Sequence, residues 1–164
     1  MSLYYLNVTV HVLAALLWLG GMFFLAAVGA PVLRKIEPPR LRAHIFQSLG
    51  LRFRRAGWIA IGVLLVTGTL NLRFRGVLSW SVLGDPSFWA TRYGNALAWK
   101  LGAVATMVVV SALHDFWLGP RSSLAAPGSP EARRFRKGAA WAARINALVG
   151  LVLVAAAVRL ARGG

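Results

Sequence analysis

The chain has 164 residues, 58% of them hydrophobic and only 14% charged, and 19 Lys and Arg against 4 Asp and Glu give a formal net charge of +15. With a mean hydropathy of +0.63 it lies outside the range of ordinary soluble domains, and its length allows one small unit. The absence of cysteine excludes disulfides, thiolate metal sites and a cysteine nucleophile.

The charge does not point to nucleic acid, because the basic residues flank apolar stretches and form no basic helical face or aromatic-basic stripe. Nor does the chain offer a hydrolase-like carboxylate pair, a phosphate loop or a nucleophile triad, which argues against hydrolytic and nucleotide-driven catalysis. Crossing a hydrocarbon core of about 30 Å takes roughly 20 apolar residues in a helix. Four stretches meet that requirement, approximately residues 4–31, 56–73, 96–118 and 139–160. They predict an all-α protein, a four-helix transmembrane bundle in which residues 1–164 form a single domain in contact with the lipid bilayer.

The first stretch begins at Tyr4 and Tyr5, and Pro31 is expected to end it. No charged residue precedes Arg34, so the stretch lacks the basic region of a cleavable signal peptide and is expected to remain as a helix. A basic segment, residues 34–55, follows with Arg34, Lys35, Arg40, Arg42, Arg52, Arg54 and Arg55. Within it Pro38 and Pro39 suit a helix start, the arginines suit anionic lipid headgroups, and His44 reads as a solvated surface histidine. The second stretch ends near Asn71. Between it and the third lie only three basic residues, Arg73, Arg75 and Arg92, together with Trp80, Phe88 and Trp89. That loop is too apolar to float free and is expected to fold back as a lid. Tyr93 and Trp99 open the third stretch and Trp117 closes it, while Trp58 and Trp141 open the second and fourth, as aromatic belts do at membrane borders. Around residues 126–130 the composition is that of a plain linker. Arg121, Arg133, Arg134, Arg136, Lys137 and Arg144 make the last loop basic again. Excess Lys and Arg mark cytoplasmic loops, so the first and third loops are expected inside and both termini outside, with Arg159 and Arg162 as the minority against.

Polar side chains are costly in hydrocarbon, and those within spans are the functional candidates. Lys100, Met107 and His114 recur every seven residues, nearly two helical turns, with Ser111 one turn before His114, so they share a face. His11, Trp18 and Met22 share a face of the first span by the same arithmetic. The two stripes suggest a seam between spans one and three. His11, Asn71 and Lys100 fall near one boundary; His114, Asp115 and Asn146 fall near the other. His11, Met22, Met107 and His114 are the candidate metal ligands, with Trp18, Asn71, Lys100 and Asn146 completing a polar seam. Lys100 and His114 are about 21 Å apart along their helix, which describes a path better than one cage. The structural alternatives are a snorkelling Lys100, methionines that fill the core and histidines that bond between helices.

The stretch RRAGWIAIGVLLVTGTLNLRF, followed by TRYGNALAWKLGAVATMVVVSALHDF, resembles the copper resistance D (CopD) domain. The pattern is TGTLN closing one span, here Thr67 to Asn71, then Tyr93, Gly94 and Lys100 opening the next. The first span is similar to the opening helix of that family, with His11 followed by Trp18 to Gly21 as WLGG. The resemblance implies copper handling at the bacterial inner membrane, classically uptake from periplasm to cytoplasm. Relatives are typically larger, so self-association or a periplasmic copper carrier becomes an expected partner. Copper(I) favours thioether and imidazole donors. A short chain with a histidine in its first span and a lysine in its third is also similar to the HemJ family. That resemblance implies a b-type haem protein, with His11 and His114 as the histidines that would bind haem b, although haem held by two histidines needs both at one depth. A third reading is an accessory subunit with no cofactor.

Overall fold

The computed structural model describes residues 2–125 and 129–163, so the expected linker around residues 126–130 falls largely outside them. Among the described residues all regular structure is helical. Four runs are long and apolar enough to cross a membrane: α1 (Leu3–Leu33), α2 (Pro39–Phe74), α5 (Arg92–Ser122) and α6 (Pro130–Ala161). Two short helices, α3 (Trp80–Leu83) and α4 (Pro86–Ala90), lie between α2 and α5. The chain therefore belongs among the all-α integral membrane proteins. Only 22–28% of the most apolar window of each long helix is buried. Leu13, Leu17, Ile59, Val66, Val109, Leu148 and Leu151 are all exposed, as side chains that face lipid must be.

The long helices overrun the apolar spans. α2 has 36 residues, on the order of 54 Å at 1.5 Å per residue. The basic segment is thus mostly the first half of this helix, since Arg, Leu and Gln are good helix formers and no proline follows Pro39 before Gly57. Pro38 is the N-cap and Pro39 the first helical residue, as the sequence predicts. His44 is exposed on this half. α1, by contrast, does not stop at Pro31 but runs on to Leu33. The stretch Leu25–Gly29 just before Pro31 is wound as a π turn, with the Ala30 amide bonded to the Leu25 carbonyl. Proline has no N–H to give and its ring crowds the carbonyl one turn back, and a widened turn relieves both. Leu113–Leu118, just before Pro120, is wound the same way, with the Gly119 amide bonded to the His114 carbonyl. A third π turn, Leu16–Gly20, has no proline beside it.

The chain forms two compact units, residues 1–84 and 85–164. In the first, α1 and α2 are antiparallel. Successive contacts run Tyr4 with Phe74, Asn7 with Asn71, His11 with Thr67, Trp18 with Gly57 and Gly21 with Phe53, and Arg42 with Arg34. α2 ends in a glycine cap. Gly76 has φ +69°, its amide reaches the Arg73 carbonyl at 3.0 Å and the Val77 amide reaches the Leu72 carbonyl at 2.9 Å, the paired bonds of a Schellman motif. Val77, the residue after the glycine, is buried and fixes where α2 stops. Beyond it Ser79 caps α3 by accepting from the Val82 amide at 3.3 Å, and Trp80 is 94% exposed.

In the second unit α4 packs on the start of α5, and α5 is antiparallel to α6. Thr91 caps α5, accepting from the Gly94 amide at 3.0 Å and donating to the Phe88 carbonyl at 2.6 Å. Asp85 caps α4 by accepting from the Ser87 amide and hydroxyl, and the Ser87 hydroxyl followed by its amide holds this carboxyl below the usual carboxylate range. Phe88 meets Trp89 and Tyr93 edge-on and tilted, with centroids 5.1 and 6.3 Å away. Trp80 and the Phe88 cluster are therefore in different units, and the aromatic loop consists of two capped helical turns. Along the α5–α6 seam Ser111 meets Asn146, Leu118 meets Gly138 and Trp117 meets Phe135. Met107 and Leu97 are the largest side chains wholly enclosed.

Gly94 is the tightest point of this packing. A β-carbon there would collide with the Phe88 carbonyl oxygen and lie 2.9 Å from the Trp89 Cα, backbone atoms that cannot step aside. Gly62 and Gly102 have open space where a β-carbon would go. Gly94→Ala is expected to destabilise the protein by about 1–3 kcal/mol, and Gly62→Ala and Gly102→Ala to stay within about 0.5 kcal/mol of the parent. Thermal unfolding in detergent micelles measures all three, and a Gly94→Ala protein as stable as the parent would contradict the packing.

Candidate functional site

The polar side chains of the first unit converge on one turn of α2. His11 Nδ1 lies 2.7 Å from Thr67 Oγ1. One turn earlier on α1, Asn7 Nδ2 donates to the Thr67 carbonyl at 2.9 Å and to Asn71 Oδ1 at 2.9 Å. Thr67 is thus gripped twice, at its hydroxyl by His11 and at its main chain by Asn7. Asn7 and Thr67 are buried, while His11 and Asn71 are half-buried. The hydroxyl also donates to the Val63 carbonyl at 2.6 Å, the usual back-bond of a threonine inside a helix. Gly68 lies under the imidazole, with His11 Cε1 3.5 Å from the place of a β-carbon. At the end of the seam Arg75 Nη2 donates to the Tyr4 hydroxyl at 3.3 Å. The segment Thr67 to Asn71 therefore supplies the hydroxyl, the bare surface and the amide that seat one histidine and one asparagine of α1.

Trp18 stands two turns further along α1, its indole edge 3.5 Å from where a Gly57 β-carbon would be. The stripe of His11 and Trp18, expected on a seam with the third span, finds its partner within the first unit in α2. Met22 is half-buried one turn beyond. Gly21 accommodates the Phe53 ring, whose Cε2 would be 2.5 Å from an added β-carbon, whereas Gly20 faces open space. Of the WLGG residues, Trp18 and Gly21 meet α2 at Gly57 and Phe53, and Leu19 is buried.

In the second unit the inward face predicted for α5 is borne by Met107 and Ser111, which are buried, and by Lys100 and His114, which are half-buried. Asn146 Nδ2 donates to Ser111 Oγ at 2.8 Å. This bond fixes the antiparallel register of α5 against α6, and Met107, one turn before Ser111, is wholly enclosed. Asn146 is buried, and its Oδ1 has no hydrogen-bond partner among the described residues. His114 Nδ1 meets Asp115 Oδ1 at 2.8 Å inside the π turn. Trp117 and Trp141 each carry an arginine over the ring, Arg121 at 4.6 Å and Arg144 at 5.2 Å. That is the arrangement of aromatic and basic residues at a membrane border.

His11, Trp18 and Asn71 thus lie on the α1–α2 seam and Asn146 on the α5–α6 seam, Met107 is enclosed, and Lys100 and His114 are half-buried on α5. Sequence reasoning did not name Asn7 or Thr67 as site residues. Among the described residues no three His, Asp or Glu side chains gather into a group suited to a metal ion. The donors suited to a soft ion are single imidazoles and thioethers at different heights, His11 and Met22 on α1 and Met107 and His114 on α5.

An interhelical hydrogen bond in a membrane protein contributes about 0.6 kcal/mol on average and about 1.7 at most. Asn7 makes two such bonds, whereas Asn146 makes one with its carbonyl oxygen left over. Asn7→Ala is expected to cost about 1–2 kcal/mol and Asn146→Ala about 0.6 or less. Equilibrium unfolding in mixed micelles, followed by tryptophan fluorescence, would contradict this ranking if Asn146→Ala proved the more damaging.

Residues 47–160 match the family described as copper resistance protein D, CopD. A protein of Aquifex aeolicus (strain VF5), itself described as uncharacterized, is 30% identical over 154 residues, covering 93% of this chain and 92% of the relative. No solved structure matches. The chain belongs to the CopD family, a group of membrane proteins whose description ties them to copper.

Proposed function

We propose that this CopD-family protein takes copper as a cargo within the membrane and passes it along soft donors, with His11 as the first of them. The observation that carries the reading is the seat of His11. An imidazole in an apolar helix is held by a buried threonine, with Gly68 beside its ring, and copper(I) prefers imidazole and thioether ligands. Met22 and Met107 are the thioethers, and His114, oriented by Asp115, is the second imidazole. Donors spread along helices suit an ion that moves, because each stop can be weak enough to leave. Met107, enclosed between α5 and α6, also fills the core, so its sulfur would serve as a ligand only after the seam loosens.

The excess of Lys and Arg in the first and third loops supports an orientation with both termini outside. His11 then faces the outer end of the path and His114 the inner end, with uptake across a bacterial inner membrane as the direction. Lys100 at the outer level would repel a cation when charged, so it serves as a border residue in this reading rather than a ligand. A periplasmic carrier or a second copy of the chain would supply the ion at the His11 end.

The test is copper itself. The double variant His11→Ala, His114→Ala is expected to lower Cu(I) retention by the purified protein at least tenfold, measured by competition with a chromogenic chelator, and to abolish copper accumulation in cells that depend on the protein. Unchanged copper handling in the double variant would contradict the proposal.

A further inference from the structure

We propose that Thr67 is a positioning residue for the copper-handling site, fixing His11 in the tautomer that carries its lone pair on Nε2; the inference rests on the copper reading of His11. Thr67 Oγ1 has one hydrogen. It lies 2.6 Å from the Val63 carbonyl oxygen, which accepts only, and two oxygens at that distance repel unless the hydroxyl proton is between them. The Thr67 proton is therefore committed to Val63, and toward His11 the hydroxyl has only lone pairs. At 2.7 Å from Thr67 Oγ1, His11 Nδ1 must be the donor and carry the hydrogen. In a neutral imidazole the other nitrogen, Nε2, is then the one with the lone pair, and a metal binds an imidazole through its lone pair.

The arrangement follows a general rule of metal sites. A ligating histidine donates from its other ring nitrogen to an acceptor that fixes tautomer and ring orientation, and loss of that acceptor typically costs 10–100-fold in metal affinity. Thr67 is well made for the task because it cannot turn away. It is 6% exposed, its hydroxyl is anchored to its own helix, and its carbonyl is held by Asn7. Gly68 lies beside the ring, where even a β-carbon would be in ordinary contact with His11 Cε1 at 3.5 Å. His114, with Nδ1 against the acceptor Asp115, reaches the same tautomer by a different partner.

The experiment is solution NMR of the full-length chain in micelles, labelled with 15N at histidine, together with Cu(I) competition titrations. Three histidines are present, and His11→Gln assigns the His11 signals by their loss. The copper-free parent is expected to show the Nδ1-protonated tautomer at His11, a reading that needs no variant to fold. In Thr67→Val, which keeps the shape and removes the acceptor, the pattern should shift toward the Nε2-protonated form, and Cu(I) affinity should fall about 10–100-fold. Thr67→Ser should restore both. An Nε2-protonated His11 in the parent, or a Thr67→Val protein with parental tautomer and parental affinity, would overturn the assignment. If His11→Gln binds Cu(I) as well as the parent, the copper reading of His11 fails and the proposed purpose of the lock fails with it, while the tautomer spectrum still reports whether the lock exists.

Discussion

Within hydrocarbon a polar side chain has no water to turn to, and the bond between the His11 imidazole and the Thr67 hydroxyl is where this chain meets that constraint most directly. Lipid tails are as apolar as leucine, so apolar contact alone gives α1 and α2 little reason to prefer one register over another. The polar pairs supply that reason. A shift of α1 by one turn would break the bonds that His11 and Asn7 make to Thr67 and Asn71, and it would carry Trp18 off Gly57 and Gly21 off Phe53. The glycine cap at Gly76 ends α2 one turn past Asn71, so the polar level stays close to the helix end. There Arg75 and Tyr4 face the interface.

The second unit meets the same constraint with fewer polar atoms. One bond, Asn146 to Ser111, sets the register of α5 against α6, and the enclosed Met107 lies one turn before it on α5. Gly94 brings α4 directly onto the first turn of α5. The result is a seam in which sulfur, hydroxyl and amide groups succeed one another toward His114 and Asp115. α5 carries one thioether and one imidazole of the kind a soft ion prefers, Met107 and His114, and α1 carries one of each, Met22 and His11.

How much of this is legible in the amino-acid sequence depends on which force writes each feature. The four spans are plain, because a chain this short could not bury four apolar runs of membrane length away from water by itself, and Pro38 and Pro39 announce the start of α2. The full extents of the helices are less plain. Arginine-rich flanks are polar yet helix-compatible, and Pro31 and Pro120 look like stops when widened turns carry the helix through them. His11 stands out as an ionisable group in an apolar run. Thr67 does not, because a threonine that back-bonds to its own helix looks ordinary in any span, and Asn7 sits where the interface tolerates polarity. The TGTLN pattern held the missing signal, since its threonine, glycine and asparagine recur at the spacing that one face of a helix needs in order to receive His11 and Asn7. Its meaning depended on pairing α1 with α2, its neighbour across a five-residue connection, residues 34–38.

Copper K-edge X-ray absorption on the Cu(I)-loaded full-length chain in lipid nanodiscs reads whether imidazole within the spans binds copper. Imidazole ligation gives a first shell containing nitrogen, with the outer-shell carbon scattering of the rings, and that scattering is expected to be lost when His11 and His114 are replaced. A protein that retains no copper, or one whose copper shows no imidazole signature, would contradict that ligation.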